Sequence, residues 1–353
     1  MERERLITMK DTLIEALQLV PSLELLEVSG PEGTGSVLQG KRADLEFCIR
    51  TRKSKWLILV EWKNNGEPRY VRAAVQQLAA YMSDQKQCIG IIAAPYLGPV
   101  SRQICSESGL GFVDLAGNMR IVFDDVYMVR DNYPKPVNEI NRLKSLFATK
   151  SSRVVRLLLE DPGRVWRIQE IAEDADVSIG LAYKVKARLL DREMVVQDQN
   201  GVMLKDPELL LREWTIKYSY RESDSFSCYG DGSVSELEAE LDRYCKRNTI
   251  DYAFSLFSGA ERVAPFSRYV RGFAYVKMDP AAVAQDLGWK PVESGANFTL
   301  LAPFDESCMW NTQLVDGERV VSDLQLYLDL VSYKGRGEEA ASFLFEQRIK
   351  PKW

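Results

Sequence analysis

The stretch that decides the reading of this chain is Ala43-Asp44-Leu45-Glu46-Phe47, followed after one polar turn by Leu57-Ile58-Leu59-Val60-Glu61-Trp62-Lys63. Residues 43 to 50 and 56 to 63 read as two strands, and Thr51-Arg52-Lys53-Ser54-Lys55 suits the loop of a hairpin. Side chains alternate along a strand, so Glu61 and Lys63 share one face while Val60 and Trp62 share the other. A hairpin folded about Lys53 sets Asp44 opposite Glu61 or Lys63, the choice hanging on one residue of register. Cross-strand neighbours have Cβ atoms about 5 Å apart, close enough for two carboxylates to hold one hard cation. A Glu and a Lys that follow four consecutive aliphatics are costly to bury alone. They need each other, water or a metal; a plain ion pair at a strand end is the alternative.

A helix follows. Pro68 suits its first turn, and Val71, Ala74, Val75, Leu78 and Met82 form an apolar stripe at helical spacing. Gln77 and Tyr81 lie four apart, on one face away from that stripe. An Asp on one strand, a Glu-x-Lys on the next and a Gln-x-x-x-Tyr in the helix after it resemble the PD-(D/E)XK nuclease superfamily, in particular its RecB-type branch. The resemblance implies that Asp44, Glu61 and the Trp62 carbonyl bind Mg2+, that Lys63 orients or activates the attacking water, and that Gln77 and Tyr81 support the site or touch the nucleic-acid backbone. Ala43 stands where the superfamily usually has Pro, and Glu15 is a candidate for an additional first-helix carboxylate.

The chain has 353 residues, enough for two or three domains. It contains no histidine, which excludes Ser-His-Asp triads and His-ligated zinc. The six cysteines, at 48, 88, 105, 228, 245 and 308, include no Cys-x-x-Cys pair, so zinc sites and a disulfide framework are not expected. No signal peptide and no membrane-length apolar run is read, and a cytoplasmic location is expected. A net charge of −5 does not oppose nucleic-acid binding, which depends on a local basic face.

The fold class expected is α/β plus α+β in several domains. Residues 1–130 read as a mixed sheet with helices on its faces, the nuclease-like domain. Its strands include Cys88 to Ala94, Gly111 to Asp114 and Met119 to Phe123, and helices run from about Leu6 to Leu19 and Pro99 to Ser108. The run Gly30-Pro31-Glu32-Gly33-Thr34-Gly35 is a turn, since no Gly-Lys-Ser/Thr follows it. Asp114-Leu115-Ala116-Gly117-Asn118 reads as a tight turn, with a site role for Asp114 or Asn118 as the alternative. Residues 131–149, opening on Asp131-Asn132-Tyr133-Pro134-Lys135-Pro136, form a linker.

Residues 150–215 read as a winged helix-turn-helix: a helix stopped by Asp161-Pro162-Gly163, a second over 167 to 175, a third capped by Ser178, then a hairpin turning at Asn200-Gly201. On the third helix Leu181, Val185 and Leu189 make the buried stripe. That leaves Tyr183 and Lys184 outward and Lys186 and Arg188 on the flanks, where contacts to double-stranded DNA would fall. The acidic second helix leaves open a winged helix used only for protein contacts.

Residues 225–353 read as an α+β domain. Ser235 and Glu238 are expected to form a capping box, Tyr252 to Gly259 a strand and turn, and Ser322 and Gln325 a second cap. Ser258-Gly259-Ala260, the run Val321 to Leu330 and Arg336-Gly337-Glu338-Glu339-Ala340-Ala341 resemble the AbiEi-like type IV antitoxin family over residues 150–353. That resemblance implies a DNA-binding transcriptional regulator, with a nucleotidyltransferase-like toxin as partner and a homodimer as a further expectation. Asp305, Glu306, Glu338 and Glu339 read as solvated surface charge. Three functions stay open: a regulator carrying a nuclease-like domain, a Mg2+-dependent DNA endonuclease targeted by its winged helix, and a protein-binding module that reuses both folds.

Overall fold

The computed structural model describes residues 2–30, 43–83, 85–134, 146–266 and 268–353. Residues 31 to 35 of the glycine run and 135 to 145 of the expected linker lie outside these. Contacts group the chain into two units, residues 1–144 with 187–193, and residues 145–186 with 194–353. Mixed α/β structure with more than one sheet is present, as expected.

The first unit opens with α1 (Glu2–Gln18) and carries a seven-stranded sheet whose strands lie side by side in chain order. These are β1 (Glu24–Ser29), β2 (Leu45–Arg50), β3 (Lys55–Trp62), β4 (Cys88–Ala94), β5 (Gly111–Asp114), β6 (Met119–Phe123) and β7 (Val126–Arg130). The three central strands β3, β4 and β5 run parallel, and the outer pairings are antiparallel. Parallel neighbours need crossovers, supplied here by α2 (Pro68–Met82) and α3 (Pro99–Glu107). Both crossovers advance the sheet in the same direction, and the fixed hand of such connections puts both helices on one face.

Alternation along β3 then sorts its side chains. Ile58, Val60 and Trp62 pack with Met9, Leu13 and Leu17 of α1, whereas Leu59 packs with Val71, Ala74 and Leu78 of α2. Glu61 follows Leu59 by two and so belongs to the α2 face. Strand β7, Val126–Arg130, has no counterpart in the sequence reading.

The second unit contains α4 (Thr149–Glu160), α5 (Ile168–Asp174), the first part of α6 (Ile179–Asp191) and the hairpin β8 (Val195–Gln197) with β9 (Val202–Leu204). Gly201 is required at the hairpin turn, because a Cβ there would lie 2.4 Å from the Trp166 carbonyl oxygen. After α7 (Pro207–Thr215) comes a second seven-stranded sheet, order β13-β10-β14-β12-β11-β16-β15. Its strands are β10 (Asp224–Tyr229), β11 (Tyr252–Phe254), β12 (Gly272–Val276), β13 (Lys290–Pro291), β14 (Phe298–Ala302), β15 (Gln313–Val315) and β16 (Glu318–Val320). The helices α8 (Val234–Asn248), α9 (Leu256–Val263), α10 (Pro280–Asp286), α11 (Asp323–Val331) and α12 (Arg336–Leu344) complete it.

Three local expectations are corrected. Ser233 and Glu236, not Ser235 and Glu238, form the capping box of α8. Glu238 is instead buried and ion-paired to Arg262 at 3.0 Å, and it accepts a hydrogen bond from Tyr269. The segment read as strand and turn over 252 to 259 is a strand followed at once by α9. Asp305 is not solvated: it is buried against Arg153, with Nη2 2.8 Å from a carboxylate oxygen.

Candidate active site

The register of the β2–β3 hairpin resolves the choice left by the sequence. Leu45 pairs with Val60 and Arg50 with Lys55, so the next position outward sets Asp44 opposite Glu61. The Trp62 backbone N–H donates to Asp44 Oδ2 at 2.8 Å, fixing that carboxylate at the strand end. Lys63 Nζ donates to Glu61 Oε1 at 2.7 Å and to Gln77 Oε1 at 3.3 Å, and Gln77 Nε2 donates to the Tyr81 hydroxyl at 2.8 Å. Asp44, Glu61, Lys63, Gln77 and Tyr81 therefore converge on one end of the sheet beneath α2. Gln77 and Tyr81 are half-buried flanks of the helix stripe, and Tyr81 packs against the apolar cluster under α2 rather than standing apart from it.

Glu61 is 4% exposed, and its Oε2 has no hydrogen-bond partner. Burial raises its carboxyl above the ordinary value of 4.5; the Lys63 hydrogen bond opposes this, and the negative charge of Asp44 adds to the rise. A buried carboxylate oxygen with no donor, facing a second carboxylate, is an arrangement that a cation would relieve. Among the described residues no group of three or more Asp, Glu or Cys side chains is placed to hold a metal. Two carboxylates are nonetheless an ordinary protein contribution for Mg2+, which keeps several waters and shares substrate phosphates. The donor set therefore fits that ion.

The loop that joins β3 to α2 carries features the motif did not reveal. Trp62 Nε1 donates to Asn64 Oδ1 at 2.9 Å, and Ser101 Oγ donates to the Gly66 carbonyl at 2.7 Å. A Cβ on Gly66 would lie 2.0 Å from the Tyr96 carbonyl oxygen, so only glycine lets the loop approach that close. The run Asn64-Asn65-Gly66 signalled a turn, but nothing local signalled the tightness of its packing.

Other candidates separate from this site. Glu15 is exposed on α1. Asp114 is fully buried and accepts from the backbone N–H groups of Leu97, Ala116 and Asn118 and from Asn118 Nδ2, so its oxygens are spent on holding the turn. Asn118 in turn accepts from Arg102 and from the Tyr133 N–H. Both serve the turn.

On α6, Tyr183 is 57% exposed and Lys184 is exposed, with Lys186 Nζ 4.5 Å from the Tyr183 ring centroid. Arg188 is half-buried, and that burial pushes its pKa down. The buried stripe runs through Ala182, Val185 and Leu189, while Leu181 is only half-buried. No helix among the described residues is long and apolar enough to cross a membrane.

No family model and no curated protein matches the chain. Two solved structures bear a partial likeness to it. One is described as the structure of EndoMS in apo form, with 20% identity over 33% of this chain and 46% of that one, at a TM-score of 0.23. Another is described as an EndoMS-dsDNA2 complex, with 18% identity over 30% of this chain and 42% of that one, at a TM-score of 0.20. The chain spans less than half the length of either structure. Likeness of this size carries no weight for its fold or its chemistry.

Proposed function

We propose that the first unit hydrolyses phosphodiester bonds of DNA, with Mg2+ held by Asp44 and Glu61. The observation that carries the reading is the buried Glu61, whose Oε2 lacks a partner while Lys63 and Asp44 stand beside it. A cation held by Asp44 and Glu61 would supply charge stabilisation to a phosphate. Lys63 has three N–H donors, and Glu61 and Gln77 take two of them. The third is left for a phosphate oxygen or the attacking water. Tyr81 accepts from Gln77 and keeps its own O–H for donation, while that bond turns Gln77 Oε1 toward Lys63. Gln77 is thus a positioning residue. The test is Mg2+-dependent cleavage of plasmid and oligonucleotide DNA: the intact chain should cut, and Lys63→Ala should not.

A second reading is favoured by the surface of α6. Three helices followed by a two-stranded hairpin are the elements of a winged helix-turn-helix, and exposed Tyr183 and Lys184 with Lys186 beside them make an aromatic and basic face for double-stranded DNA. In that reading residues 1–130, 150–215 and 225–353 are three domains of a regulator of the antitoxin type, with a nucleotidyltransferase-like toxin as its partner. The two readings are compatible, since a winged helix can bring a nuclease to its target.

A further inference from the structure

On the second sheet, Cys228 of β10, Phe298 of β14 and Ala274 of β12 pack into the core with Leu237 and Leu241 of α8 and Val283 of α10. Alternation then sends Ser227 and Tyr229 of β10, Thr299 of β14 and Arg271, just before β12, to the opposite face. Ser227 lies directly across from Thr299, and Lys290 of β13 directly across from Tyr229, so all five belong to one surface.

Arg271 is half-buried and pinned by hydroxyls: its Nε donates to Thr299 Oγ1 at 2.8 Å and its Nη2 to Ser227 Oγ at 2.7 Å. Arg153, Arg262 and Arg348 in the same unit each meet a carboxylate, Asp305, Glu238 and Asp323 respectively. Arg271 meets none among the described residues. The two hydroxyls fix the guanidinium plane along its Nε edge and leave its Nη1 end for other partners. Arginine has no acceptor, so Ser227 and Thr299 receive its hydrogens and keep their own O–H for donation. Every unspent group here is therefore a donor. On this face the residues of β10, β12, β13 and β14 include no carboxylate, and Asp231 and Glu293 are exposed in loops beyond the ends of β10 and β13. Lys290 is exposed and adds a second positive charge.

A guanidinium held in one plane offers parallel N–H bonds to an oxyanion. The Ser227 hydroxyl beside it is a third donor, which suits the three terminal oxygens of a phosphate better than the two of a carboxylate. Tyr229 is 45% exposed and follows Ser227 by two residues, roughly 7 Å along the strand, where its ring offers a stacking surface to a base. We propose that this face binds a nucleotide, with its phosphate on Arg271 and Ser227, its base on Tyr229, and Lys290 opposite the phosphate charge. Thr299 is a positioning residue that acts through Arg271.

The experiment is calorimetric titration of the full chain, in EDTA to keep metal from the first unit, with 5′-AMP, adenosine, inorganic phosphate and acetate. AMP should bind best, and Arg271→Gln should weaken it by about tenfold or more. Arg271→Lys should not restore binding, since an ammonium lacks the planar fork. Tyr229→Ala, at an exposed position, should weaken AMP and leave inorganic phosphate unchanged. The proposal is overturned by no AMP binding at millimolar concentration, or by AMP binding no tighter than adenosine, phosphate or acetate. It is equally overturned if Arg271→Gln keeps the native affinity. Should that variant fail to fold, Tyr229→Ala and Lys290→Glu, both at exposed positions, decide the matter: native AMP affinity in both overturns the proposal.

Discussion

At the scale of single residues, Glu61 carries the account. Its carboxyl is raised above 4.5 chiefly by burial, so the ionised form is disfavoured in the folded state relative to the unfolded chain. The sign follows: a raised carboxyl costs nothing at pH below its unfolded value, and stability is lost as pH rises through the folded value. Glu61→Gln removes that loss. In thermal unfolding without added metal, the variant should match the native chain near pH 4 and exceed it at pH 7 to 8, the gap opening upward from about 4.5. Equal midpoints across that range would mean that Lys63 fully compensates the buried charge. If Asp44 and Glu61 hold Mg2+ as proposed, added Mg2+ should narrow the gap by stabilising only the native chain.

At the scale of elements, the site depends on how β3 is joined to α2. Gly66→Ala would press a methyl group against the Tyr96 carbonyl and should cost about 1–3 kcal/mol in denaturant unfolding. On α6, Lys184→Ala should weaken binding to duplex DNA and make the salt slope shallower by about one unit; an unchanged slope would remove that helix from the interface.

The hairpin of β2 and β3, the strands Cys88–Ala94, Gly111–Asp114 and Met119–Phe123, and helix α2 were legible because alternation or helical spacing was uninterrupted between turn residues. The α8 cap was not, because Ser233 and Ser235 each precede a Glu by three residues. Only the burial of Glu238 beside Arg262, a contact 24 positions away, separates the two. Helix α9 was missed because Ser258 and Gly259 look like turn residues. Gly259 is there for close packing instead, its missing Cβ falling 2.9 Å from Leu326. Of the candidate site, the five side chains were named from their spacing in the sequence; the Gly66 approach and the Asp44 register were not, since the first is set by the Tyr96 carbonyl in the loop after β4 and the second by the pairing of β2 with β3.

At the scale of the whole molecule, the chain divides into two units. In the second, Arg153 of α4 and Asp305 are buried partners, with side chains 9% and 6% exposed, and Arg153 also reaches Asp176 at 2.7 Å. Burial alone would raise the Asp305 carboxyl, yet hydrogen bonds from Arg153 and Ser307 hold it below its ordinary range. Asp305→Ala leaves a buried guanidinium half-paired and should destabilise that unit by about 3–5 kcal/mol in urea unfolding, without altering cleavage by the first. The measurement that bears most directly on the central claim is a nuclease assay in Mg2+ that compares the intact chain with Glu61→Ala on single-stranded, double-stranded and branched DNA. The account predicts cleavage of at least one substrate by the intact chain and none by the variant; no cleavage of any substrate in Mg2+ or Mn2+, or equal cleavage by both proteins, would contradict it.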